Sequence, residues 1–109
     1  MNTTVNDMIK ELETINDLGN ELNSVKAELR EKDFNLKVKK SAMEFSENYA
    51  DFREGLKVKE IAPKILEATI DDAEEICRLK EKKDALEHEL YVAKLRFQIL
   101  KEIIDDNKL

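Results

Sequence analysis

Two side chains of nucleophile and base type occur in this chain, one cysteine and one histidine, Cys77 and His88. A nucleophile and its base have to come within hydrogen-bond reach of each other. On one helix their spacing is three turns, about 16 Å along the axis, so they could meet only between chains. Cys77 flanks an apolar seam and reads as a small hydrophobe. Metal chemistry finds no better footing. Di-iron bundles carry Glu-x-x-His on facing helices, but the residue three before His88 is Ala85. Asp84 and His88 stand at i and i+4, which suits an exposed ion pair. The acidic run Asp71-Asp72-Ala73-Glu74-Glu75 lacks the glycine and ligand spacing of a calcium loop. No Gly-rich phosphate loop is present. The sequence therefore predicts no enzyme, no catalytic or metal-binding residue, no cofactor and no small-molecule substrate.

Binding chemistry has one candidate cluster. Lys37, Lys39, Lys40, Lys57, Lys59 and Lys64 flank the middle of the chain, with Phe45, Tyr49 and Phe52 close by. A basic patch with aromatics can hold a single strand of nucleic acid. The same lysines can instead answer an acidic block on a facing helix while the aromatics pack a turn, and this second reading is preferred. The chain carries 19 Lys+Arg against 25 Asp+Glu, a formal net charge of −6. That balance argues against a dedicated nucleic-acid binder, whose affinity rests on neutralised phosphates.

The elements that hold these residues follow from composition. In 109 residues there are two Gly, one Pro and no Trp, with 40 % charged and 41 % hydrophobic. So few breakers leave no turn chemistry for a β fold or for βα units. The charged and apolar content together is that of long helices. One helical domain over 1–109 is expected, with a helix over about 4–52, a turn over about 53–57 and a helix over about 58–105. The first helix should start near Asn2-Thr3-Thr4. Met8, Leu12, Ile15, Leu18, Leu22, Val25, Leu29 and Leu36 form its apolar stripe, with a phase slip where two steps of three meet at Ile15 and Leu18. Phe34, Leu36 and Val38 also alternate with polar residues, and with Leu56 and Val58 they allow a short two-stranded ribbon; helix is preferred. Gly55 suits the left-handed end of a helix. Pro63 lies deep for a helix that begins at Val58, so a kink or a later start is expected.

The second helix is the more regular. Ile76, Leu79, Lys83, Leu86, Leu90, Ala93, Phe97, Leu100 and Ile104 alternate by three and four, and the register extends back through Asp72, Thr69, Ile65, Ala62 and Val58. With Gly55 near the middle, the arms should fold antiparallel, position i facing roughly position 110 − i. Lys37, Lys39 and Lys40 would then lie near Asp71, Asp72, Glu74 and Glu75, and Lys80, Lys82 and Lys83 near Glu28 and Glu31. A second stripe at Val92, Leu95, Ile99 and Ile103 is too wide for one seam to cover. A long antiparallel hairpin that dimerises into a four-helix bundle would cover it.

A long charged helix, an aromatic stretch from Phe45 to Phe52, an Arg53-Glu54-Gly55 turn and a Lys-rich heptad helix ending Leu95-Arg96-Phe97-Gln98-Ile99-Leu100 make up the whole chain. This pattern resembles small coiled-coil proteins of phages and prophages of Gram-positive bacteria. The resemblance implies an accessory or host-interaction role and no catalytic residue. Helical-hairpin substrates of type VII secretion carry a mid-chain Trp-x-Gly, whereas this turn reads Phe52-Arg53-Glu54-Gly55. The single cysteine fits a reducing cytoplasm, and no apolar run is long enough to cross a bilayer. The expected function is protein–protein interaction, with itself and another protein. The alternatives are acidic inhibition of a nucleic-acid enzyme by mimicry of phosphates, and single-strand binding at the turn end.

Overall fold

A computed structural model describes residues 3–107. α1 covers Thr3–Phe45, a 3₁₀ turn covers Glu47–Tyr49, α2 covers Ala50–Arg53, α3 covers Val58–Ala68 and α4 covers Ile70–Asn107. The architecture is an all-α helical hairpin, and no strand occurs among the described residues. Phe34, Leu36 and Val38 are helical, so the ribbon does not form. Phe34 and Val38, four apart, share an outer face at 66 % and 52 % exposure, while Leu36 between them turns inward and is half-buried. α1 is helical from Thr3, within the Asn2-Thr3-Thr4 start expected, and Asn2 lies outside the described residues.

The chain divides into two compact units. One comprises Ala27–Lys80 and contains the turn. Its seam on α1 is Leu29, Lys32, Leu36, Lys39 and Met43; opposite stand Ile65, Thr69, Asp72, Ile76 and Leu79, all buried or half-buried. Lys39 reaches Asp72 at 3.0 Å and Lys32 reaches Glu75 at 2.8 Å, so the helices run antiparallel. Lys39 and Asp72 stand where the charge blocks predict them. Lys37 instead pairs with Asp33 on its own helix, at 3.1 Å.

Two helix breaks in this unit depart from the sequence reading. The helix expected to run to residue 52 stops at Phe45, because Ser46 is extended (φ −76, ψ 142) and its hydroxyl accepts the Asn48 N–H. Arg53 stabilises that stop: its guanidinium donates to the Met43 carbonyl at 2.7 Å and to the Ser46 carbonyl at 2.8 Å. The Met43 oxygen has no helical N–H left to accept from, and the Ser46 oxygen also accepts the Tyr49 N–H at 3.1 Å. Gly55 then takes φ +76, as a reversal requires. The later helix starts at Val58 despite Pro63, which sits inside α3. The break comes instead at Thr69, fully buried at 0 % exposure, whose hydroxyl donates back to the Ile65 carbonyl at 2.8 Å. That back-bond loosens the local helix, yet the 3–4 seam passes through it without losing phase.

The second unit joins α1 through Lys26 to α4 from Glu81 onward. Met8, Glu11, Ile15, Leu18, Leu22 and Val25 face Lys83, Leu86, Leu90, Ala93, Phe97, Leu100 and Ile104, and every one of these is buried or half-buried. Leu22, Val25, Leu86 and Ala93 form its innermost part. The expected phase slip is absent. Leu12 is 45 % exposed and Glu11 takes its place in the seam, so the steps of three and four continue unbroken. Lys82 pairs with Glu21 at 3.9 Å rather than with Glu28 or Glu31.

Candidate interaction surface

The surface of the second unit follows from its register. One residue advances a helix by about 100°. In an antiparallel pair, residues one step after a seam position on either helix share one face; residues one step before share the opposite face. The ion pairs obey this rule. Lys26 and Glu87, each one after a seam residue, meet at 4.0 Å, while Glu21 and Lys82, each one before, meet at 3.9 Å.

Val92, Ile99 and Ile103 are each one before a seam residue, with Leu95 beside them. Val92 is half-buried; Leu95, Ile99 and Ile103 are 45 %, 57 % and 43 % exposed. Across from them α1 offers Asp7, Lys10 and Thr14. These line two shallow grooves with Arg96, Ile99 and Leu100, and with His88, Val92 and Ala93. The sequence reading missed a second stripe. Val5, Ile9 and Leu12, one after the seam on α1, are 37 %, 50 % and 45 % exposed. Their spacing of four and three is visible in the sequence, but Leu12 also fits the expected core stripe of α1, to which Val5 and Ile9 do not belong. Inside the seam, one carboxylate oxygen of Glu11 is buried with no hydrogen-bond partner.

In the turn-containing unit three of the six lysines named for anion contact are occupied. Lys37 and Lys39 are paired as above. Lys64 donates to the Phe52 carbonyl at 2.8 Å and lies 4.6 Å from the centre of that ring. Phe52 in turn meets Tyr49 edge-on, 6.3 Å between centroids. Lys40 is half-buried and lines an apolar groove with Glu44, Ala62, Pro63 and Leu66. The Lys57 backbone N–H donates to Glu60 at 3.3 Å, half of a capping box that a lysine side chain has no acceptor to complete. Lys57 and Lys59 are exposed. Cys77, one step past Ile76, is also exposed rather than packed.

Among the described residues no helix is long and apolar enough to cross a membrane. The chain matches no family model, no curated protein and no solved structure.

Proposed function

We propose that this chain is a non-enzymatic coiled-coil interaction or accessory protein of the cytoplasm, encoded by a phage or prophage, that associates with itself and presents the resulting assembly to a partner protein. The observation that supports it is the α4 stripe: Leu95, Ile99 and Ile103 stand about half exposed beside a seam that is already filled. An aliphatic side chain withdrawn fully from water contributes about 1.5–3 kcal/mol, and these three have roughly half of that still to gain. Protein contact is favoured over nucleic acid because Lys37, Lys39 and Lys64 already spend their charge within the chain.

Static light scattering at equal concentration compares wild type with Ile99→Glu/Ile103→Glu. Wild type should scatter as a multimer at tens of micromolar and the variant should fall toward one chain, with circular dichroism showing helix retained in both. A wild type that is monomeric there ends the self-association reading.

A further inference from the structure

Both faces of the Glu81-onward unit carry an apolar stripe. Val92, Ile99 and Ile103 precede the seam on α4; Val5, Ile9 and Leu12 follow it on α1. By the register rule they lie on opposite faces, and they lie at the same height, since Asp7, Lys10 and Glu11 line one groove with Ile99 and Leu100.

At the height of the stripes the flanking charges differ in sign, by one net charge on each face. On the face of the α4 stripe stand Asp7, Asp17 and Glu89 against Lys10 and Arg96, each one before a seam position. On the face of the α1 stripe, at the height of the stripe, stand Lys94 and Lys101 against Asp105, each one after. Lys26, Asp84 and Glu87 lie on the same face but toward the other end of the unit. An isologous dimer through the α4 stripe would oppose a rim of three acids and two bases to its own copy and leave Val5, Ile9 and Leu12 in water. Facing the α4 stripe of one copy with the α1 stripe of another opposes unlike rims and covers both stripes.

We infer that this chain associates with copies of itself face to back, the Val92–Ile99–Ile103 stripe of one copy seating on the Val5–Ile9–Leu12 stripe of the next. The inference rests on the self-association proposed above and fixes its geometry. Because the two surfaces are different and opposed, a pair of chains leaves one of each free, and assembly continues past two. Growth should therefore rise with concentration without a plateau at the dimer. Salt should weaken it, because exposed charges are screened.

Two blocked variants decide the geometry. Ile9→Glu/Leu12→Glu closes the α1 stripe, and Ile99→Glu/Ile103→Glu closes the α4 stripe. Face-to-back association predicts that each variant alone is monomeric by native mass spectrometry and light scattering. Mixed in equal amounts, they should give a heterodimer of twice the monomer mass and nothing larger, since each supplies the face the other lacks. That recovery on mixing also shows that both variants fold. Lys94→Glu/Lys101→Glu leaves both apolar stripes intact and should weaken wild-type assembly by tenfold or more in concentration. If Ile9→Glu/Leu12→Glu remains a dimer, or the mixture stays monomeric while wild type assembles, the face-to-back geometry is wrong and the self-association reading stands. If wild type is monomeric throughout, both fall.

Discussion

The two units handle polar residues in their seams in opposite ways. In Ala27–Lys80 the intruding groups are matched: Lys39 with Asp72, Lys32 with Glu75, and the Thr69 hydroxyl with a backbone carbonyl. The two ion pairs fix which residue stands opposite which, because a slipped alignment would separate them, while the Thr69 bond is local to its own turn and only satisfies a buried hydroxyl. In the other unit the intruder on α1 is Glu11, and one of its oxygens is buried without a partner. There the alignment rests on apolar packing at Leu22, Val25, Leu86 and Ala93. Exposed apolar side chains do not separate the units, since Phe34, Val38 and Phe45 stand in water on the turn-containing unit as well. What differs is whether the seam polarity is spent on specificity or left as a cost.

Replacing the unmatched polar group tests this most strongly. Glu11→Leu should stabilise the chain by about 1–3 kcal/mol, the range for removing a buried polar atom that lacks a hydrogen bond. Chemical denaturation followed by circular dichroism reads it directly. A loss of stability would mean that the Glu11 carboxylate is solvated, and the contrast between the units would disappear.

The two glycines sharpen the comparison at a smaller scale. Gly19 is helical, and a Cβ built there meets nothing within 4 Å. Gly19→Ala should therefore gain up to about 1 kcal/mol, the usual penalty of glycine in a helix. Gly55 also has open space around it but holds φ +76. Gly55→Ala should cost about 1 kcal/mol through backbone strain alone. Equal signs for the two substitutions, in the same denaturation assay, would contradict the conformational argument.

How much of this was legible beforehand depends on how local each determinant is. The seam of α3 and α4 was readable from Ile65 to Ile104 because three-and-four spacing is a property of consecutive residues, and the polar members Thr69, Asp72 and Lys83 did not interrupt it. Its expected extension through Ala62 and Val58 fails, since both are exposed. On α1 the same rule, counted back from Leu22 and Val25, leads through Leu18 and Ile15 to Glu11. Choosing the more apolar Leu12 produced an artificial phase slip and concealed the Val5–Ile9–Leu12 stripe. Helical phase rather than hydrophobicity decides that Glu11, and not Leu12, enters the seam. The stop at Phe45 was not legible, since it depends on Arg53 reaching back to Met43 and Ser46. Ser46 followed by Glu47 and Asn48 was its only local sign. Pro63 was over-read, for a helix can begin at Val58 and still contain it.

The smallest effect expected is that of pH on the turn-containing unit. The Lys32 ammonium donates to the Glu75 carboxylate at 2.8 Å. That hydrogen bond, aided by the charges of Glu75, Glu28 and Glu31 and opposed by desolvation, holds the Lys32 pKa above its ordinary value of 10.5. A raised lysine pKa means that the folded chain holds the proton more tightly than the unfolded one. The stabilisation is then complete below 10.5 and is lost as pH rises through the folded value. With side chains 34 % and 46 % exposed, solvent screens the pair and its contribution is modest. Thermal melts of wild type and Lys32→Met should differ by a small amount that stays constant from neutral pH until about 10.5, then shrinks as the ammonium deprotonates. A difference that vanishes well before that point would show that the matched pair is not what Lys32 contributes.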